Sequence, residues 1–323
     1  MPLTEDKLAQ KRIQLIERTS KALGVSIDEA QQLLMIGRQQ SVRLNELKQD
    51  IKTSNKALNE LGVETVSVSW MNQGLYISSG LDLVRDSKLA ENGEVYIQNA
   101  ASWLPAIALQ PEAGAVILDM CAAPGGKTSH IAQLANNEAF ITANDNSRPR
   151  LHKLQRNMER LNVQNISYTL HDATRLSKNL EPASFDKILL DAPCSGEGMM
   201  TLDNKKDFES WSVAHIKRLQ QLQKKLIVQA WQLLKPGGTL VYSTCTMAPE
   251  ENEAVIDYLL RHNDDVRVES LEELVQQLDS TVSPVLKWND KYYDERISNA
   301  LRLKPSPLIE AFFVVKLTKA FEA

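Results

Sequence analysis

The sequence predicts an α/β protein: a mostly parallel, Rossmann-like sheet preceded by a small N-terminal α/β domain. Three observations carry this. Residues 115–130 run from an apolar stretch (Val116 and Ile117, both β-branched, then Leu118) through Asp119 into a loop of small residues, then into a helix with Ile131 and Leu134. Downstream, short apolar runs alternate with helical periodicities, which implies parallel strands joined by right-handed crossovers. Upstream, two amphipathic helices and short period-two stretches form a smaller unit. The expected division is 1–85 and 86–323.

The elements follow in order. Residues 4–23 set Leu8, Ile13, Leu15, Ile16 and Leu23 among many charges, an amphipathic helix that Gly24 ends. Ser26 opens a second helix, with Asp28 and Glu29 in its first turn and Gly37 as its expected stop. Residues 41–45 read as a strand, a helix near 54–61 ends at Gly62, and strands follow at 63–69 and 75–77. Residues 80–114 connect the two units. After the central loop come a strand over 139–144, a helix over 149–161, and strands over 166–170 and 185–190. A long helix over 212–234 is expected to stop at Lys235-Pro236-Gly237-Gly238, before a strand over 239–243. Pro249-Glu250-Glu251 begins a helix to about 261, and 311–317 is an apolar last strand with a short tail to 323. No repeat or low-complexity tract appears.

Composition excludes several classes. A hydrophobic content of 43% and a charged content of 24% suit a globular domain, and no apolar run approaches the roughly 18 residues of a membrane span. The N-terminus lacks a signal-peptide core. Three cysteines without a C-x-x-C argue against a disulfide framework or a common zinc site. An intracellular, cytoplasmic location, no metal and a monomer are expected. A net charge of −4 argues against a general nucleic-acid binder; an enzyme with a local basic face remains open.

The central loop admits three readings. A dinucleotide site wants G-x-G-x-x-G, and only Gly125 and Gly126 are present. A P-loop would use Gly126-Lys127-Thr128, but its first glycine falls on Cys121. The third reading is a pocket for S-adenosylmethionine, with the loop beneath its methionine part. Asp145, just past a strand, suits both ribose hydroxyls of a cofactor; as a plain helix cap before Pro149 it would be equally at home.

Asp119-Met120-Cys121-Ala122-Ala123-Pro124-Gly125-Gly126-Lys127-Thr128 resembles the first motif of the RNA 5-methylcytosine methyltransferases, the Nop2/Sun (NSUN) family. Asp191-Ala192-Pro193-Cys194-Ser195-Gly196-Glu197-Gly198 and Tyr242-Ser243-Thr244-Cys245-Thr246 agree, in the same order. The resemblance covers roughly residues 40–317 and implies a class I methyltransferase sheet with an antiparallel last strand. It implies a cofactor site of Cys121, Ala122, Ala123, Pro124, Gly125, Gly126, Lys127, Asp145, Arg150, Asp172 and Asp191, with Asp172 on the adenine. Residues 96–104 would pack over that pocket, and Arg43-Leu44-Asn45-Glu46-Leu47-Lys48 resembles the family's RNA-binding extension. Ala311 stands where the family usually has glycine, so a local change is expected there. His171 lacks a paired nucleophile and is read as structural.

Cytosine C5 is not nucleophilic, so a thiolate must first add to C6. Cys194 and Cys245 are both candidates from the residues alone. The resemblance gives attack to Cys245 and release of the methylated base to Cys194, whereas DNA cytosine methyltransferases attack with the Pro-Cys thiol. Asp191 would meet N3, and Lys127 would favour a thiolate. The expected activity is transfer of a methyl group from S-adenosylmethionine to cytosine C5 in tRNA or rRNA. The alternatives are a methyltransferase for another base or for DNA, and a non-catalytic RNA-binding scaffold. Arg43, Lys48, Lys52 and Lys56 are expected to form a phosphate-facing surface.

Overall fold

The computed structural model describes residues 4–321; residues 1–3 and 322–323, the outer ends of the two expected domains, lie outside the described part. Two compact units emerge. The larger holds Gln39–Asp191, Gln229–Val241 and the chain from Thr318; the smaller holds the chain up to Arg38, Ala192–Val228 and Tyr242–Leu317. Arg38 and Gln39, both inside the expected 1–85 domain, fall in different units.

In the smaller unit, α1 (Glu5–Leu23) buries Leu8, Leu15, Ala22 and Leu23, and Gly24 caps it in the left-handed region at φ 67°. Helix α2 (Ile27–Leu33) is capped by Ser26 Oγ, which accepts the Glu29 N–H at 3.1 Å. It stops short of Gly37. Leu34 is fully buried and its carbonyl accepts the N–H of Leu202 at 3.0 Å, which draws the chain off the helical path.

The larger unit begins with β1 (Gln40–Leu44), α3 (Ile51–Glu60), β2 (Glu64–Ser67), β3 (Gly74–Ser79) and β4 (Val95–Ile97), the strands forming an antiparallel sheet in the order β2-β3-β1-β4. Helix α3 starts three residues earlier than expected, because Asp50 Oδ1 accepts the Thr53 N–H at 3.0 Å. After α4 (Leu104–Leu109) come β5 (Val116–Asp119), α5 (Gly126–Leu134), β6 (Phe140–Asn144), α6 (Arg148–Arg160), β7 (Ile166–Thr169) and β8 (Phe185–Asp191). These strands are parallel, in the order β7-β6-β5-β8. The chain progresses outward from β5 through β6 to β7 and then returns to the other side of β5. That reversal opens a crevice at the carboxyl ends of β5 and β8, the usual place for a ligand in such sheets.

Helix α7 (Val213–Leu233) leads directly into β9 (Leu234–Thr244), so Lys235-Pro236-Gly237-Gly238 lies inside the strand rather than before it. The glycines allow this: Gly237 takes φ 76°, and a Cβ on Gly238 would lie 2.9 Å from the Asp186 carbonyl oxygen. Helix α8 (Glu253–His262) precedes β10 (Leu301–Leu303) and β11 (Phe312–Lys319), which pair antiparallel with Leu301 opposite Val314. Leu8, Leu15, Phe208, Trp211, Ile216 and Met247 form the core of that unit.

Candidate active site

In the larger unit the site is built at the carboxyl end of β5. Asp119 is 1% exposed, its Oδ2 accepts Thr128 Oγ1–H at 2.6 Å, and burial pushes its carboxyl up to about 7. The loop after it is pinned on both sides: Met120 N–H donates to Leu189 O at 2.9 Å and Ala122 N–H to Asn144 O at 2.8 Å. Asn144, fully buried, donates to Met120 O at 3.1 Å and to His171 O at 3.2 Å, and accepts from Thr169 Oγ1 at 2.9 Å. It ties three strand ends together. Sequence reading passed over it; an amide among the apolar residues of a strand was the available signal. Gly125 sits at φ 106°, and a Cβ there would lie 2.5 Å from Met158 Cε and 2.7 Å from Leu154 Cδ1. The conformation demands glycine, whereas the side-chain ends of Met158 and Leu154 could shift aside.

This loop walls a cavity of about 140 Å³. Cys121, Ala122, Ala123, Pro124, Gly126, Lys127, Asp119 and Asp191 line one side; Tyr96, Ile97, Gln98 and Ser102 close over it. Lys127 Nζ is 2.7 Å from Asp191 Oδ2 and donates to Ser102 Oγ at 2.9 Å. The cation and carboxylate read separately in the sequence are thus an ion pair. Arg150 donates to Ala123 O at 2.7 Å and lies 3.4 Å from Asp145 Oδ2, while Asp145 Oδ1 accepts the Ser147 N–H at 2.9 Å. Asp145 is 2% exposed and adjoins the loop without lining the cavity. Asp172 is exposed, caps a short turn by accepting the Thr174 N–H at 2.9 Å, and is not part of the lining. Burial pushes the Cys121 thiol up, so it remains protonated.

Arg43 departs from expectation. It is fully buried, donates to Ser129 Oγ at 2.6 Å and to Gln133 Oε1 on α5, and lies 5.7 Å from the centre of the Tyr96 ring. Asn45 is buried too, donating to Gly93 O at 2.8 Å and Leu161 O at 2.9 Å. Arg43 therefore braces the helix behind the glycine loop and cannot meet phosphate. Lys48, Lys52 and Lys56 are exposed.

In the smaller unit, Cys194 and Cys245 bring their Sγ atoms to 3.4 Å. The hydrogen bond with Cys245, reinforced by burial, holds the Cys194 thiol well above its ordinary range. Gly198 makes the approach feasible: its N–H donates to Cys245 O at 2.9 Å, and a Cβ there would lie 2.2 Å from the Ala311 carbonyl oxygen. Ala311 is fully buried without a left-handed φ, so alanine costs this site no backbone strain. Among the described residues no cluster of three or more His, Cys, Asp or Glu side chains could hold a metal ion, and no helix is long and apolar enough to cross a membrane.

Residues 106–318 match the profile of the 16S rRNA methyltransferase RsmB/F family. The tRNA (cytosine(49)-C(5))-methyltransferase of Pyrococcus abyssi is 39% identical over 283 residues, covering 86% of this chain and 88% of that one. The ribosomal RNA small subunit methyltransferase F of Aeromonas salmonicida is 38% identical over 251 residues, covering 76% of this chain and 52% of that protein; the chain thus spans about half the length of such relatives. A solved methyltransferase homologue from Pyrococcus horikoshii superposes with a TM-score of 0.76 at 32% identity, covering 98% of this chain and 100% of the other.

Proposed function

Because the chain belongs to the RsmB/F family of methyltransferases, we propose that it transfers a methyl group from S-adenosylmethionine to C5 of a cytosine in tRNA or rRNA, through a covalent bond between Cys245 and C6. The observation that carries this reading is the thiol pair, Sγ to Sγ at 3.4 Å. An enzyme that methylates an exocyclic nitrogen needs no thiol, because that nitrogen can attack the methyl group directly. A decayed scaffold has no reason to keep two thiols in register.

The cofactor fits the larger unit. A Cβ on Gly126 would lie 3.0 Å from Gln98 Nε2 and 3.2 Å from Tyr96 Cε1, both of which line the cavity, so glycine there keeps it open, and Asp145 offers a buried carboxylate beside the loop. The cavity of about 140 Å³ is smaller than the ~300 Å³ of a typical ligand site. The remainder of the cofactor would extend along Ala123 towards Asp145 and Arg150, with Asp172 at the adenine. Bound there, S-adenosylmethionine supplies an electrophilic methyl group.

The chain's own residues do the rest. Cys194 resists ionisation and its Sγ is in hydrogen-bond contact with that of Cys245, so it can donate its S–H to the thiolate that attacks C6. Asp191 meets the N3 edge of the base and passes it a proton as negative charge develops there, and Lys127, 2.7 Å away, offsets the carboxylate left behind. Asp191 and Cys194 are three residues apart, so their Cα atoms lie within about 11 Å whatever the loop does. After methyl transfer Cys194 gives up its proton to solvent, its thiolate takes the C5 proton, the C5–H electron pair forms the C5–C6 double bond, and the C6–S bond breaks with its electrons leaving on Cys245. The exposed Lys48, Lys52 and Lys56 would meet RNA phosphates as part of an RNA-binding role for residues 1–85.

The test is a denaturing gel with RNA and cofactor. Cys194→Ala should accumulate a protein–RNA adduct, because release stalls; Cys245→Ala and the double variant should show none. An adduct that survives only when Cys245 is lost would make Cys194 the nucleophile. No adduct from either, with methylation found on an exocyclic amine, would remove the C5 assignment.

A further inference from the structure

Behind the thiols lies a buried chain of acids and hydroxyls that the reaction above does not use. Each cysteine is followed by a hydroxyl residue, Ser195 after Cys194 and Thr246 after Cys245, and the two hydroxyl oxygens are 2.8 Å apart. Glu251 is fully buried beside them. Its Oε2 accepts the Ser195 N–H at 3.0 Å and Gln223 Nε2–H at 2.9 Å. Its Oε1 bonds Ser195 Oγ and lies 3.4 Å from Thr246 Oγ1. The same Gln223 nitrogen donates to Pro193 O at 2.8 Å, so the residues on both sides of Cys194 are held. From the other direction Glu197, 2% exposed, accepts from Thr246 Oγ1 at 3.2 Å and from Trp211 Nε1 at 3.0 Å.

A buried carboxyl group is unfavourable unless its bonds are satisfied. A purely architectural glutamate would spread those bonds over the scaffold. The side-chain bonds of Glu251 run instead to the neighbours of the two cysteines and to the glutamine that braces one of them. We propose that Glu251 is a positioning residue: it clamps the two cysteine loops together, so that Cys194 and Cys245 keep the spacing at which both act on one pyrimidine. The inference rests on the covalent reading of the thiol pair given above.

Charge sharpens the expectation. The ionisable groups around Glu251 are Cys194, Glu197, the neighbouring Glu250, and Arg18, which pairs with Glu250 at 2.8 Å; the Tyr242 hydroxyl bonds the Glu251 carbonyl at 2.5 Å. Burial pushes the Glu251 carboxyl up to about 7, and its charged form pushes the Cys194 thiol up. Removing that charge without removing the bonds should let Cys194 ionise at lower pH.

The experiment compares Glu251→Gln, Glu251→Ala and Ser195→Ala in the full chain. Glu251→Ala and Ser195→Ala should lower kcat about 10- to 100-fold with KM for S-adenosylmethionine unchanged, the loss of one or two bonds to a charged group. Glu251→Gln should lose less and shift the pH profile of kcat to lower pH. A second readout needs no methylation. Diamide takes two electrons and two protons from Cys194 and Cys245 to close a disulfide, and Glu251→Ala should slow that closure at least tenfold, as mapped by peptide mass spectrometry. If Glu251→Ala does not fold, Ser195→Ala and Glu251→Gln carry both measurements. Wild-type kcat and closure rate in these variants overturn the proposal, as does a kcat loss with an unmoved pH profile and an unchanged closure rate. If the wild type makes no 5-methylcytosine yet closure still depends on Glu251, the covalent reading falls and the clamp stands.

Discussion

Replacing Gly198 by alanine should disable the thiol pair. The added Cβ would lie 2.2 Å from the Ala311 carbonyl oxygen and 2.8 Å from that of Cys245. Ordinary carbon–oxygen contact needs a little over 3 Å, so backbone on one side must retreat by roughly 1 Å. Neither neighbour is a flexible side-chain end that could swing away. Retreat stretches the Gly198 N–H bond to Cys245 O, now 2.9 Å, in a site where Gly198 is buried. Overpacking of this kind costs about 1–3 kcal/mol and a buried, weakened hydrogen bond about 1–3 kcal/mol more, so Gly198→Ala should lose about 2–5 kcal/mol of stability. The retreat also moves the segment that carries Cys245, and a displacement near 1 Å should lower kcat about 100-fold. Urea denaturation reads the first effect; methyl transfer by the folded fraction reads the second. Gly37→Ala is the control, since nothing lies within 4 Å of its Cβ position and its φ is not left-handed; it should stay within about 0.5 kcal/mol of the parent. A Gly198→Ala protein as stable as that control, with full kcat, would refute the close-approach argument.

Three further variants separate structural from binding charges and test a buried acid. Lys48→Ala, Lys52→Ala and Lys56→Ala together should reduce the salt slope of RNA binding by about 2–3, whereas Arg43→Met should leave that slope unchanged and weaken S-adenosylmethionine binding; the opposite pattern in filter-binding titrations would put Arg43 on the RNA. Asp119 ionises at about 7 in the fold, above its unfolded 3.8, so between about pH 4 and 7 the native state binds more protons than the unfolded chain and loses stability as pH rises. Asp119→Asn lacks this term, so the stability of the parent relative to the variant should fall across that window, on the order of 3 kcal/mol, in denaturation at stepped pH. A constant difference would mean that Asp119 stays ionised.

Local patterns along the chain suffice for the elements and for the candidate residues. The apolar run ending at Asp119, the glycine pair after it and the recurring strand–helix units are local patterns, and local sterics suffice to turn them into strand, loop and helix. The same holds for Ser26 and Gly24 as caps. The pairings, by contrast, join groups far apart in the chain, which packing brings together. Cys194 and Cys245 are 51 positions apart, and their 3.4 Å separation depends on Gly198 yielding room against Ala311. Lys127 and Asp191 read as separate roles and turned out paired, because β5 and β8 are neighbours in the sheet. Arg43 read as a phosphate ligand, yet a cation's sequence neighbourhood says nothing of whether a helix will cover it, and α5 supplies Ser129 and Gln133 there. Glu251 was legible only as part of a helix start. Its bonds to Ser195 and Gln223 span 56 and 28 positions, and contacts over that range are selected by packing of the whole unit, which no periodicity along the chain records.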